Sequence, residues 1–592
     1  MPDDVVIDMP LTDTHNPKVA VHHFGPADMA PLDTTRGIAS LTVGIPSSRK
    51  NRQPDGPSSP PRWKTPEFIF YYIVFVVVVP LMAWVPIRLS SPTNANYPFF
   101  RHQLKPGWLF GREVDNSDRQ YRAFRDNIPA LSLLALVYLT LQWIYVRSAI
   151  GSTSAIPKDN IHLVPYVVFF AALYLIGLHG TSTIKILIIL TVNYYIGKGL
   201  RGSRIGPLMT WIFNASVLFA NEWNEGYRFS SLHPSLAALD IFEGLYPRWH
   251  ISFNITMLRL VSFNMDYYWA CKIDSTWARN DTPRQRDAKT TQKERTSTPH
   301  PLEFYTYANY LAYILFPPLY IAGPILTYND FLWQLRRPQE ISRLSVMSYF
   351  IRFLICLITM EFILHTMYVV AIKDTKAWIG DTPLELSMIG FWNLIIVWLK
   401  LLLPWRFFRL WSLASGIDPP ENMVRCMANN YSTTGFWRSW HRSYNLWVVR
   451  YIYIPLGGTK HVAVATLLIF TFVALWHDLS FRLLAWGWLV SLFIVPEMLA
   501  AHLLPQSKYG HYSWYRHVCA IGAVFNIVMM MTANLVGFVV GTEGVLYLSR
   551  QITGSLEGFR FLVTACCCLF VGVQLMFEYR EEEKRREIFL RC

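Results

Sequence analysis

Apolar runs long enough to cross a bilayer alternate with short polar segments along most of the chain. The first, Phe68 to Ile87, is about 20 residues long, enough for a hydrocarbon core of roughly 30 Å. Further apolar stretches fall at 128–146, 162–179, 184–197, 205–221, 304–322, 347–372, 388–403, 462–476, 481–503, 517–541 and 559–577. They predict an all-α polytopic membrane domain over 65–592, built from about 10–12 transmembrane and re-entrant helices.

The stretch 304–322 is punctuated by Pro317 and Pro318 and followed by Gly323 and Pro324. If it crossed fully, the basic loop with Arg336, Arg337 and Arg343 would lie opposite the basic loop before it. Both features predict a re-entrant or broken element buried in protein. On that reading 373–387 is lumenal and 405–461 returns to the cytosol. The segment RWHISFNITMLRLVSFNMDYYW mixes basic and apolar groups at helical spacing, which predicts a helix lying in the membrane interface. After it, KIDSTWARNDTPRQRDAKTTQKERTSTPH reads as a basic cytosolic loop. The connector behind the first span contains DNSDRQYRAFRDNIP, where charge of both signs and several aromatics predict an ordered interfacial loop.

Residues 1–64 are rich in Pro, Ser, Asp and Arg without helical or strand period, and are expected to be a disordered cytosolic tail. Asp3, Asp4, Asp8 and Asp13 replace the apolar core of a signal peptide, leaving the first span as the expected insertion signal. His23 and Asp28 stand at the HxxxxD spacing of soluble-faced glycerolipid acyltransferases, but their Pro/Gly context cannot hold a catalytic pair.

Composition removes the soluble alternatives. The chain of 592 residues is 52% hydrophobic and has 22 Trp, 31 Tyr and 37 Phe, too apolar for a soluble multidomain protein. The net charge of +14 fits cytosolic loops facing anionic lipid, with no basic stripe that resembles a nucleic-acid reader. Of the 8 cysteines none forms a CxxC pair or meets His at metal-ligand spacing, so neither a disulfide framework nor a zinc site is expected. Cys426 is the candidate for a lipidated, metal-binding or haem-ligating thiol, its alternative being a small hydrophobe. The run Cys566, Cys567, Cys568 lies within a span and is expected to pack.

Candidate chemistry concentrates between Phe436 and His477, FWRSWHRSYNLWVVRYIYIPLGGTKHVAVATLLIFTFVALWH. His477 ends an apolar span, where an ionisable side chain is costly and marks function by default. Its alternative is a histidine satisfied by a carbonyl or by Asp478. At 1.5 Å per residue, Val462 to Trp476 would place His477 roughly 22 Å inward of His441, itself expected near the cytosolic face. His441 beside Trp440 can also be read as a simple interfacial residue. Glu361 and Lys400 sit within apolar stretches and support a competing reading, a polyol transporter using them as a proton or substrate pathway.

Three separated motifs carry a family likeness: YANYLAYILFPPLYIAGPILTYNDF, then GFWRSWHRSYNLWVVRYIYIPLGG, then ALWH. They resemble the membrane-bound O-acyltransferases (MBOATs), with a core at about 300–505. WLKLLLPWRFFRLWSLASGIDPPENMVRC is most similar to the fungal glycerol-uptake (Gup) branch, related to Hedgehog acyltransferase. The resemblance implies an endoplasmic-reticulum enzyme with a tunnel across the membrane. It would move a long-chain acyl group from acyl-CoA to a hydroxyl of a lipid acceptor, lyso-GPI in anchor remodelling, with no tightly bound cofactor. The family's near-invariant histidine maps onto His477, and its second polar position, filled by Asn, Asp or His, onto His441.

The chemistry is coherent on its own terms. A hydroxyl attacks a thioester only if a base takes its proton as the bond forms, and His477 is the candidate base. Arg438, Arg442 and Arg450 could meet the phosphates of CoA or snorkel to headgroups, while Trp440, Tyr444, Asn445, Tyr453 and Trp476 are candidates to line and orient the substrate. Ser439 and Ser480 lack a nucleophile elbow.

Overall fold

The computed structural model describes residues 60–151, 159–231, 233–272, 291–458, 462–477, 480–586 and 588. Most of the expected N-terminal tail, His23 and Asp28 included, lies outside them, as do residues 273–290 of the basic loop. The end of that tail is docked, contrary to expectation. Trp63 packs on Phe68 and Tyr72, and the Arg62 N–H donates to Glu578 at 3.0 Å.

The principal helices are α1 (Pro66–Leu89), α2 (Arg119–Gly151), α3 (Val164–His179), α4 (Ser182–Gly199), α5 (Ile205–Trp223) and α6 (Trp249–Lys272). After a broken stretch come α7 (Tyr307–Ile314), α8 (Tyr328–Arg336), α9 (Arg343–Thr366) and α10 (Pro383–Ala414). Two short helices, α11 (Thr433–Ser439) and α12 (Arg442–Val448), precede α13 (Val462–His477) and α14 (Phe481–Leu503). The chain closes with α15 (Tyr515–Asn534), α16 (Gly541–Thr553) and α17 (Leu556–Arg585). Among the described residues, 8 helices are long and apolar enough to cross a membrane, so the protein is an all-α multi-pass membrane protein.

The stretch at 304–322 breaks where its prolines stand. α7 ends at Ile314, one turn follows at Pro317–Tyr320, and regular structure resumes only at Tyr328. Backbone carbonyls freed inside an apolar bundle need donors, and α6 supplies them. The Arg259 guanidinium donates to the carbonyl of Ile314 at 2.7 Å and to that of Leu319.

That role corrects the interfacial reading of 248–269. Met257, Leu258, Leu260, Val261 and Phe263 on α6 are completely buried, and the helix runs through the core. Its mid-helix charges find partners inside, Arg259 at the break and Asp266 on Arg450.

The connector behind α1 is ordered, as its composition predicts. It forms an antiparallel pair, Leu104–Pro106 with Glu113–Asp115, and docks through buried charge. Glu361 on α9 accepts from Arg125 at 2.6 Å, Tyr121 at 3.0 Å and the Trp108 indole at 3.0 Å. Lys400 on α10 donates to Asp118 at 2.7 Å. Gly107 lies so close to His365 that an added Cβ would come within 2.6 Å of its ring. Both residues that motivated the transporter reading thus hold this connector in place.

Candidate active site

The antiparallel hairpin of α13 and α14 frames the site. Gly487 lets the two helices approach until an added Cβ would sit 2.9 Å from the Phe470 carbonyl. On the flank of this hairpin lies α11, anchored by a carboxylate of α14. Glu497 accepts from the Ser432 hydroxyl and from the Thr433 and Thr434 N–H groups at 2.8 and 3.3 Å. Ser432 in turn caps the Gly435 N–H at 2.9 Å, so the first turn of α11 is hydrogen-bonded. From there Trp437 packs against Phe470 and Trp486, directing the chain along the hairpin toward His441.

His441 occupies the left-handed region, with φ 44° and ψ 49°, between α11 and α12. Asn, Asp and His are the non-glycine residues most often found there, so a histidine is tolerated at this bend. Asn422, fully buried, holds the bend. Its carbonyl accepts from Arg442 N–H at 3.0 Å and its Oδ1 from Ser443 N–H at 3.2 Å.

A column of rings then joins the two histidines. Trp405 stacks on His441 with centroids 4.5 Å apart, and His441 on Tyr444 at 5.2 Å. Tyr444 stacks on Trp476 at 4.5 Å, and His477 meets Trp476 edge-on at 4.7 Å. Trp476 is locked to α6 by reciprocal bonds, its indole donating to the Asn254 carbonyl at 2.9 Å and its own carbonyl accepting from the Asn254 amide at 3.0 Å. His477 itself is exposed, not sealed in side-chain packing.

This arrangement overturns the expectation that the histidines lie about 22 Å apart in depth. The rise along α13 is real, but the segment before it descends beside the hairpin and delivers His441 to the same end. The pair interact electrostatically. Burial first, and then the charge of His477, push the His441 imidazole down to about 3 from an ordinary 6.5. His441 is therefore neutral at physiological pH. Between about 3 and 6.5 the unfolded chain binds a proton at His441 that the folded chain does not, so acid favours unfolding. Stability is expected to be full above pH 6.5 and to fall as pH drops toward 3. In His441→Asn, which keeps the left-handed bend, melting temperature measured against pH should slope less.

The other sequence candidates divide. Arg450 donates to Asp266 at 2.8 and 3.3 Å and lies over the Trp269 ring. Its charge is balanced inside the core, so it serves as an anchor rather than as the expected phosphate contact. Asn445 ties α12 to the Trp437 carbonyl at 3.3 Å, and Trp440 stacks on Phe436. Arg438 and Arg442 are half-buried, with Arg438 close enough for its charge to act on Tyr453. Burial raises the Cys426 thiol above its ordinary value, and no metal-holding cluster is present among the described residues.

Four buried polar atoms in the stretch 422–453 have no hydrogen-bond partner among the described residues: Trp437 Nε1, Tyr444 Oη, Tyr453 Oη and Asn422 Nδ2. All four can donate. Buried donors of this kind are costly unless something supplies acceptors, so the site is suited to a ligand rich in carbonyl or phosphate oxygen. Sequence reasoning missed Trp405, Asn422, Asn254, Asp266 and Glu497. Trp405 and Asn422 had a local signal, their place in the Gup-like stretch WLKLLLPWRFFRLWSLASGIDPPENMVRC.

A family profile described as MBOAT, membrane-bound O-acyltransferase family, matches residues 240–542, which include the broken element, both histidines and the hairpin. The chain belongs to that family. It is 45% identical over 571 residues to "Membrane-bound O-acyltransferase GUP1" of Saccharomyces cerevisiae, covering 95% of this chain and 99% of the relative. To "Membrane-bound O-acyltransferase gup1" of Schizosaccharomyces pombe it is 44% identical over 535 residues, 89% of this chain and 90% of the other. A more distant likeness, 28% over 255 residues, joins it to "Protein-cysteine N-palmitoyltransferase HHAT" of Mus musculus, covering 39% of this chain and 50% of that one. The MBOAT protein is thus an acyltransferase of the Gup branch, related to HHAT.

Proposed function

We propose that this acyltransferase moves a long-chain fatty acyl group from acyl-CoA to a hydroxyl of a lyso-GPI lipid in the endoplasmic-reticulum membrane. His477 is the general base and His441 its neutral neighbour. The observation that carries the reading is the ring column ending on an exposed histidine, bordered by buried donors that lack acceptors. A pantetheine arm and a thioester supply such acceptors, and an apolar chain fits the aromatic lining. Arg438 and Arg442, which flank His441 at the end of α11 and the start of α12, are assigned to the CoA phosphates. Placing acceptor and thioester together inside a bundle poor in water favours transfer over hydrolysis. The lyso-GPI acceptor and the location rest on the Gup likeness.

Protein reconstituted in vesicles with labelled acyl-CoA and either lyso-GPI or glycerol tests this. Labelled diacyl-GPI is expected, with glycerol flux equal to that of empty vesicles. Glycerol flux without an acyl product would return the protein to the transporter class.

A further inference from the structure

Among the buried donors Tyr444 stands apart, because it is also part of the column. Its ring packs against both His441 and Trp476, and His477 adjoins Trp476. The side chain is only 6% exposed, yet its hydroxyl bonds to nothing among the described residues. A hydroxyl kept without a partner is a poor structural choice, since phenylalanine would fill the same ring space without stranding a polar group. The ring accounts for the packing and the oxygen remains unexplained.

From this geometry we propose that the Tyr444 hydroxyl is a catalytic donor that stabilises the oxyanion formed when the acyl thioester is attacked. The inference rests on His477 as base. The acceptor oxygen forms a bond to the thioester carbonyl carbon while its proton passes to the His477 imidazole. The carbonyl π pair moves onto oxygen, where the Tyr444 O–H donates to the new negative charge. Collapse restores the carbonyl, breaks the carbon–sulfur bond and expels the CoA thiolate, which recovers the proton from the imidazolium. Ester and CoA thiol are the products, and no further reactant is required. A preorganised donor that is itself buried is worth far more against a developing oxyanion than against a ground-state carbonyl. The benefit therefore belongs in kcat and not in substrate affinity.

The test compares wild type, Tyr444→Phe and His477→Ala, each purified full-length and assayed with acyl-CoA and lysolipid. Tyr444→Phe should lower kcat about a hundredfold, leave KM for both substrates within about twofold, and leave the melting temperature unchanged or higher. Introducing 3,5-difluorotyrosine at 444 retains the ring and strengthens the donor, so kcat should follow donor strength, with the fluorinated protein at or above wild type. An unchanged kcat in Tyr444→Phe, a loss explained by a fallen melting temperature, or the reverse order with the fluorinated residue would each overturn the proposal. If His477→Ala alone keeps full activity, the base assignment fails instead, and the two failures are told apart.

Discussion

Replacing His477 by alanine is expected to lower kcat for acyl transfer by about three orders of magnitude, or about 4 kcal/mol of barrier, with the fold intact. An aliphatic hydroxyl is almost wholly protonated at neutral pH, so its attack on a thioester needs a base that removes the proton as the carbon–oxygen bond forms. His477 can do this because it stands exposed at the end of α13 while the Trp476 beside it is fixed by two bonds to Asn254. The ring is therefore accessible and its backbone rigid. Because it is exposed, its loss should change stability by no more than about 0.5 kcal/mol. His441 makes the informative contrast. It is half-buried between Trp405 and Tyr444 and holds a left-handed bend, so His441→Asn should retain more activity than His477→Ala. Single-turnover rates and thermal melts of both variants check the pair of expectations. A His477→Ala protein within tenfold of wild type would remove the histidine from the chemistry.

Much of the architecture is readable in the chain because a bilayer imposes a simple rule: a spanning segment must be apolar for its full length. The break after Ile314 is readable for a related reason, since Pro317 and Pro318 cannot continue an α-helix. The burial of α6 is not. A charge at helical spacing looks the same whether water or a distant partner satisfies it, and the partners of α6 lie far away in sequence. Asp266 meets Arg450 across 184 positions, and Arg259 meets the Ile314 carbonyl across 55. The separation assigned to the two histidines fails for a similar reason. Helical rise gives length along α13 but says nothing about the direction of the chain before it. Glu361 and Lys400 illustrate a third limit, because a buried charge suggests transport until its partners Arg125 and Asp118 are known. The histidines and the tyrosine between their neighbours could be singled out from the motif, whereas the residues that orient them, Asn422, Asn254 and Glu497, belong to other segments.

Substituting Asp266 by leucine is expected to destabilise the protein by about 4 kcal/mol, enough to lower the yield of folded protein sharply. Asp266 is fully buried and joins three segments: Arg450 donates to it at 2.8 Å, the Tyr451 hydroxyl at 3.1 Å and the Asn329 N–H at 3.2 Å. Removing the carboxylate leaves a guanidinium in the core without its counter-charge, strands the Asn329 N–H, and leaves the Tyr451 hydroxyl with Ser262 alone. Arg450 and Tyr451 lie in the turn after α12, so the loss should propagate to His441 and Tyr444. Asp266→Asn keeps an acceptor and should be milder. The double variant Asp266→Leu with Arg450→Leu should recover part of the loss, because it removes the unpaired charge together with its partner. Melting temperatures of the three variants in one detergent decide the matter. If the double variant melts no higher than Asp266→Leu alone, the stranded cation is not what destabilises the protein, and the hydrogen bonds to Tyr451 and Asn329 carry the effect.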